Sequence, residues 1–318
     1  MTSTTSQPAL DVAAVVESIA DLVHANYVFP DVARELADLL RRRSAEGAYR
    51  ADSAEELAEP VTADLRSVNG DLHLSLKHHA VPVPRERGEA AMAAMRRRFD
   101  ASLGGVPRVE LLDEGVAVLE IAPNMFPLDW SAQALTAGLS LVAPARALIL
   151  DLRGNTGGDP STVAFICGYL LDGRTHLNTL VSRQGEVAEQ FWTPPFVPGA
   201  RYGGSKPLYV LTSADTFSAG EELAYDLQQL GRAVIVGETT RGGAHPREGW
   251  TVHPHLELAV PVARAVNPVS GANWEGVGVR PDVPCEAGAA LDRALALAVA
   301  PAPAPAPAVT GPVRGSHG

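Results

Sequence analysis

Residues 147–160 read ALILDLRGNTGGDP, and this stretch decides the fold class of the chain. Its first six residues are an almost unbroken apolar run, which is typical of a strand buried on both faces of a parallel sheet. A loop with three glycines follows, and a helix is predicted over Pro160–Leu171. Strand, glycine loop and helix in this order indicate an α/β domain.

A second unit of the same kind lies further along the chain. The pattern predicts a strand at Leu208–Thr212, a helix at Ser218–Leu230 and another strand at Ala233–Val236. Additional β structure is predicted at Val109–Leu112, Val116–Ile121, Thr251–Pro261 and Val277–Val279. The repeated alternation of strand and helix supports the α/β class.

Apolar residues at helical spacing predict several helices before the first of these strands. The predicted helices cover residues 11–26, 31–44, 53–67 and about 87–99. Asp11 is a candidate N-cap, and Ser53 with Glu56 has the spacing of a capping box. The first three helices predict a small N-terminal bundle.

These patterns predict four parts of the chain. They are an N-terminal three-helix domain at 1–85, a connecting helix at 86–104, an α/β domain at 105–298 and a disordered tail at 299–318. The tail begins VAPAPAPAPAVT, a composition that cannot pack a core.

The charge balance excludes some classes of partner. The 318 residues include 26 basic and 37 acidic ones, which gives a formal net charge of −11. A negative surface repels phosphates, so we expect neither nucleic acid nor a membrane as partner, although a pocket can carry the opposite sign locally. The chain shows neither a secretory signal at its start nor an apolar run of roughly 18 residues, so a cytoplasmic location is expected. Cys167 and Cys285 are interpreted as structural thiols.

Two loops carry residues suited to catalysis. In the loop 153–159, glycines let backbone N–H groups approach a ligand, and the following helix start favours negative charge. A tight turn alone would also explain that loop. In the second loop Ser218 lies at a predicted helix start, where it is either a nucleophile beside the N–H of Ala219 or a cap completed by Glu221.

The order of several segments resembles the tail-specific, or C-terminal-processing, protease family. The matching pieces are HANYVFPDVARELADLL (24–40), NGDLHLSL (69–76), RVELLDEGVAVLEIA (108–122), ALILDLRGNTGG (147–158), LTSADTFSAGEELAYDLQ (211–228), VIVGETTRGGAHP (234–246) and WEGVGVRPD (274–282). The resemblance is strongest to the branch that contains the interphotoreceptor retinoid-binding protein repeats and the tricorn protease core. It implies an α/β, crotonase-like spiral of ββα units, with a small N-terminal helical bundle and the catalytic domain at 105–298.

The resemblance also implies site residues. Ser218 would be the catalytic nucleophile, and the N–H groups of Gly158 and Ala219 would form the oxyanion hole, with Gly157 an acceptable substitute for Gly158. No cofactor and no metal are implied.

The base departs from that of the best-known members, which use a lysine in a GxGKG-like segment. Gly243 occupies the lysine position here. Tricorn-type relatives instead combine the serine with a histidine and a glutamate, and those positions match His73 and Glu275. His245 is a competing base, because it lies in the loop that normally supplies the lysine.

The family's processing proteases usually carry a PDZ domain between the helical unit and the core, and the spacing here leaves no room for one. We therefore expect a peptidase-type acyl hydrolase acting on a peptide or a small amide or ester. The alternative is a non-proteolytic protein of the same fold that binds an apolar, retinoid-like molecule. A homo-oligomer is also open, since relatives often assemble.

Overall fold

The computed structural model describes residues 10–83 and 88–300. The predicted tail therefore lies outside the described residues from position 301 onward. Within the described ranges the helices are α1 Val12–Asn26, α2 Pro30–Ala45, α3 Ala54–Arg66, α4 Gly88–Ala101, α5 Leu128–Val142, α6 Pro160–Leu170, α7 Ala219–Gln229 and α8 Ala290–Val299. None of them is long and apolar enough to cross a membrane.

The strands of the same ranges form three sheets. They are β1 Ser75–His78, β2 Arg108–Leu111, β3 Val116–Glu120, β4 Ala147–Asp151, β5 His176–Ser182, β6 Val187–Trp192, β7 Leu208–Thr212, β8 Val234–Gly237, β9 Arg247–His253, β10 Leu256–Pro261, β11 Ala263–Val266 and β12 Val283–Pro284. Mixed helices and strands confirm the α/β class with a small N-terminal helical region, while the crotonase-like spiral stays a prediction.

The largest sheet has six strands in the order β12-β8-β7-β4-β3-β2. Neighbouring strands are parallel except at one edge, where β2 runs antiparallel to β3. Alternate residues of β4 enter different cores: Leu148 and Leu150 face α5, α6 and α7, and Ala147 and Ile149 face α8. Burial on both faces explains why the first four residues of β4 are all apolar.

The N-terminal helices share a core with a distant part of the chain. Buried side chains of α1, α2 and α3 pack with Leu256, Leu258 and Val260 of β10. That strand also pairs with β1, in a register that places Ser75 opposite Ala259. The helical region is thereby joined to the α/β region. The pairing also brings the loop before β1 close to the glycine loop at 153–159 and to the loop that contains Ser218.

The β structure predicted at Thr251–Pro261 is present as the antiparallel hairpin β9–β10, whereas the β structure predicted at Val277–Val279 is wrong. Val277–Val279 is a turn region, since Gly276 and Gly278 both adopt positive φ and the N–H groups of Val277 and Gly278 donate to the Trp274 carbonyl. Residues 102–107 alone connect α4 to β2.

Candidate active site

Ser218 occupies a strained turn between β7 and α7. Its φ of 53° and ψ of −121° lie in a region that residues other than glycine rarely adopt. Its N–H donates to Glu221 Oε2 at 2.8 Å, and the N–H of Phe217 donates to the Asn155 carbonyl at 3.0 Å. The turn is therefore fixed from two sides, and it leaves Ser218 half-buried on the wall of a cavity of about 920 Å³.

Glu221 is the residue that connects this turn to the loop opposite. Its carboxylate is fully buried, and it accepts hydrogen bonds from the N–H groups of Gly242 at 2.6 Å and Gly243 at 2.9 Å and from the Thr240 hydroxyl at 2.5 Å. Burial raises its pKa, and these donors lower it, with a net increase. Glu221 therefore clamps the serine turn to residues 240–243, a role that its capping spacing alone did not reveal.

The glycine loop approaches Ser218 closely. A Cβ at Gly157, whose φ is +101°, would lie 2.6 Å from Ser218 Cβ and 3.2 Å from Ser218 Oγ, so no side chain fits there. The Gly157 N–H already donates to Asn155 Oδ1 at 2.9 Å. No described residue accepts a hydrogen bond from Gly158, and this geometry favours Gly158 over Gly157 as the donor to an oxyanion.

Ala219 supplies the second candidate donor. It is the first residue of α7, so its N–H has no partner within the helix and lies at the positive end of the helix dipole. Gly158 and Ala219 both line the cavity beside Ser218. The arrangement can hold negative charge that develops on a carbonyl oxygen.

His73 lines the same cavity and is held in one orientation. Its ring stacks on Phe217 with centroids 4.7 Å apart, and its backbone N–H donates to Asp71 Oδ1 at 3.0 Å. Nδ1 is buried and has no hydrogen-bond partner among the described residues. Burial lowers the pKa of His73 to about 4, so the ring is neutral at pH 7 and able to accept a proton.

Glu275 lies beside His73. Three atoms lie within 4.8 Å of one another: a ring nitrogen of His73 and one carboxylate oxygen each from Asp71 and Glu275. Glu275 Oε2 accepts the Ala244 N–H at 2.5 Å, whereas Oε1 is buried without a partner among the described residues. Burial raises the pKa of Glu275 to about 7. The His73 ring and the Glu275 carboxyl group are thus neighbours, and such contacts commonly tighten when a substrate binds.

His245 is placed differently. Its Nδ1 lies 2.7 Å from Asp71 Oδ2 and 3.4 Å from Glu275 Oε2, and its ring packs edge-on against Phe29. It is buried and, unlike His73, is not among the residues that line the cavity. The loop 242–246 therefore brings His245 to the helical region and not to the serine.

Asp71 is a site residue that the sequence did not single out. It accepts hydrogen bonds from the Tyr27 hydroxyl at 2.9 Å, from the His73 N–H and from His245. Burial raises the pKa of Asp71, but the hydrogen bonds and charge of its partners outweigh it, and the pKa is lowered. This carboxylate already accepts three hydrogen bonds. The group formed by Asp71, His73 and Glu275 therefore fits a hydrogen-bonded network better than a metal site.

Two family models match the chain. Residues 125–285 match peptidase family S41, and residues 9–101 match the N-terminal domain of peptidase S41 in eukaryotic IRBP. The first of these matches covers half of the chain. The chain belongs to peptidase family S41.

Individual S41 relatives are distant. The chain is 32% identical over 143 residues to carboxyl-terminal-processing peptidase 3, chloroplastic, of Arabidopsis thaliana, a match that covers 45% of this chain and 26% of that protein. The matched stretch therefore spans about a quarter of the length of that relative.

Two solved structures show the shared fold. A lipoprotein from Streptococcus agalactiae aligns with a TM-score of 0.61 at 18% identity, over 93% of this chain and 98% of that one. The tricorn protease aligns with a TM-score of 0.55 at 14% identity, over 91% of this chain and 36% of that one. The resemblance predicted from the sequence, to S41 proteases and their IRBP-like and tricorn relatives, is confirmed.

The position of the usual S41 lysine is blocked here. A Cβ at Gly243 would lie 2.3 Å from Phe217 Cε2 and 2.6 Å from His73 Cε1. The rings of Phe217 and His73 thus fill the space into which a lysine at this position would project.

Proposed function

We propose that the chain is a serine peptidase that cleaves peptides, or small amides and esters, by acyl transfer through Ser218. The observation that carries this proposal is the convergence of three segments on one cavity. Ser218, the glycine loop at 157–158 and the neutral imidazole of His73 all line it. Together they supply a nucleophile, oxyanion donors and a proton acceptor.

In the first step Ser218 Oγ attacks the substrate carbonyl carbon while His73 accepts the hydroxyl proton. The carbonyl oxygen becomes an oxyanion, which the N–H groups of Gly158 and Ala219 stabilise at the start of α7. The imidazolium of His73 is stabilised by the carboxylate of Glu275, whose Oε1 has no other described partner.

Collapse of this intermediate breaks the bond between the carbonyl carbon and the leaving group. His73 gives its proton to the leaving nitrogen or oxygen, and an acyl ester remains on Ser218. Water then attacks the ester carbonyl, His73 accepts a proton from that water, and the same proton returns to Ser218 Oγ as the acid product leaves. The protein finishes in its starting protonation state.

The family and the charges of the cavity support this substrate class. S41 membership supports a peptide substrate, and the named relatives are processing peptidases. The binding-only alternative finds no support in the cavity, because charged side chains such as Arg66, Lys77 and Glu222 line it. An apolar, retinoid-like ligand would have to desolvate those groups.

A fluorophosphonate probe tests the proposal directly, since it reacts only with an activated serine. We expect the full chain to be labelled and Ser218→Ala to be unlabelled. Ser270→Ala is the matched control, because Ser270 lies on an exposed loop away from the cavity, and it should label like the parent. Labelling that persists in Ser218→Ala, or a parent that does not label, contradicts the proposal.

The cytoplasmic location and a homo-oligomeric state remain parts of the proposal that rest on the sequence and on relatives. Both cysteines are unpaired, which supports a reducing compartment. Cell fractionation tests the location, and light scattering of the purified chain tests the oligomeric state.

A further inference from the structure

Four basic side chains form one wall of the active-site cavity, on the side of His73. We call this group the basic wall, and its members are Arg66, Lys77, Arg241 and Arg247. They come from the end of α3, from β1, from the loop after β8 and from β9. A concentration of positive charge is unexpected in a chain whose formal net charge is −11.

Two described carboxyl groups lie near the basic wall: Glu257 is opposite Lys77 in the β1–β10 pair, and Glu248 also lines the cavity. Arg66 donates to two backbone carbonyls, those of Leu74 and Leu72, and Arg241 lies over the Phe217 ring at 5.0 Å. No described carboxylate forms an ion pair with Arg66, Lys77 or Arg241. Arg247 has a long contact of 3.4 Å to Glu257, which also pairs with His79.

Burial and mutual repulsion both lower the pKa of two members of the wall. The pKa of Lys77 is lowered by partial desolvation and by the charges of Arg247, Arg66 and Arg241, and the pKa of Arg66 is lowered by desolvation and by Arg241. Glu257 opposes the effect on Lys77 without cancelling it. An anion placed among these groups would relieve the repulsion, so the wall favours a negatively charged ligand.

The position of the wall indicates that the anionic group lies on the leaving-group side of the scissile bond. His73, Ser75 and Lys77 are two residues apart, and all three line the cavity. Ser75 and Lys77 share a face of β1, roughly 7 Å apart, and His73 lies in the turn that leads into this strand. His73 must protonate the leaving group, so under the proposed function the leaving group lies against His73 and extends toward Lys77.

We propose that the basic wall binds a carboxylate on the leaving-group side of the substrate. Carboxylates form charge-assisted hydrogen bonds with lysine and arginine, and arginine binds them in a bidentate manner. Two sources offer this chemistry in a peptide, namely its free C-terminus and an acidic side chain. The side assignment rests on the proposed function, whereas the anion site itself does not.

Binding to the inactive variant Ser218→Ala tests the site without requiring catalysis. The probes are N-acetylated, alanine-rich hexapeptides measured by calorimetry: a free acid, its C-terminal amide, and the same amide with one internal glutamate. We expect the free acid to bind about 10-fold more tightly than the neutral amide, since charge-assisted hydrogen bonds are among the stronger ones. Tight binding of the glutamate-containing amide alone would support the site and identify a side-chain carboxylate as its ligand.

Variants of the wall show where the preference originates. Lys77→Met and Arg241→Met, each in the Ser218→Ala background, should reduce the preference for the acid to about 2-fold or less, because one charged partner is lost. Arg264→Met is the matched control, since Arg264 is exposed on β11 and does not line the cavity, and it should keep the full preference. Equal binding of all three peptides, or a preference that survives both wall variants, overturns the proposal.

The two proposals fail in different ways. Serine labelling together with no carboxylate preference would overturn the anion site alone. A carboxylate preference without serine labelling would overturn the peptidase and leave the anion site standing.

Discussion

His73 and His245 are two buried histidines that share a neighbour, Asp71, and only one of them belongs to the cavity. The Asp71 carboxylate accepts a hydrogen bond from the backbone N–H of His73, whereas from His245 it accepts one from the ring. Asp71 therefore fixes the position of the first histidine and leaves its ring free, while it engages the ring of the second. The comparison teaches that a buried imidazole is available as a base only where its nitrogens are not already committed to structure.

The largest effect should separate the two histidines in activity. We expect His73→Gln to lower kcat/KM by about 10⁴-fold, because the base is lost while the stack on Phe217 is partly retained. His245→Gln should lower kcat/KM by less than about 10-fold. Steady-state kinetics on one peptide substrate measures both, and a reversed order would make His245 the base.

Glu275 is shared by both histidines, so its removal shows which one it serves. We expect Glu275→Gln to lower kcat/KM by about 10³-fold at pH 8 through loss of stabilisation of the His73 imidazolium. Burial raises the pKa of Glu275 to about 7, so the carboxylate forms as the pH rises through 7. The parent's kcat/KM should accordingly rise with pH across that range.

The pH profile of the variants supplies the control. Glu222 also lines the cavity and has a pKa raised by burial to about 7, but its carboxylate accepts a hydrogen bond from Asn178 and it is not part of the group of Asp71, His73 and Glu275. Glu222→Gln should keep the increase of kcat/KM as the pH rises through 7, and Glu275→Gln should lose it. Loss of this pH dependence in Glu222→Gln alone would contradict the role given to Glu275.

A smaller effect is expected from Gly243→Ala, which disturbs His73 without touching His245. The new methyl group would overlap the His73 and Phe217 rings, and a displacement of about 1 Å can cost about 10²-fold in kcat/KM. Gly173→Ala, where a Cβ has open space, is the matched control and should be neutral. Unchanged kinetics in Gly243→Ala would show that the His73 ring need not stay where it is.

The smallest effect on catalysis should accompany a structural loss. We expect His245→Leu to lower the free energy of unfolding by about 1–3 kcal/mol, because Asp71 loses a buried hydrogen-bond donor. Urea denaturation measures this, with the exposed His24→Leu as a control that should change little. An unchanged unfolding midpoint in His245→Leu would remove its structural role.

The sequence predicted the parts of the site that depend on local pattern. A strand, a glycine loop and a helix start can be read along the chain, and these place Ser218, Gly158 and Ala219 on the cavity wall as expected. The choice between His73 and His245 as the base was open. It depends on how the loop before β1 and the loop after β8 are oriented in the folded protein, which local sequence does not determine. Asp71 and the basic wall were missed for the same reason, since their members are far apart in sequence.

Some elements of the fold were hidden by their composition. The helix α5 buries Ser131, Leu135, Gly138, Leu139 and Val142, a helical stripe that includes a serine and a glycine and is therefore not purely apolar. The hairpin β9–β10 contains a register shift near Leu256, which breaks strict alternation. Tertiary contacts, not local preference, decide these segments.

The shared core of α1, α2, α3 and β10 has a consequence for how the protein matures. During synthesis the ribosome releases His73 long before β10, and β1 can take its place only after β10 has arrived to pair with it. A growing chain therefore carries a serine whose proton acceptor is not yet in position. The geometry of the proposed site therefore depends on a contact between segments about 180 residues apart, which only the nearly complete chain can form.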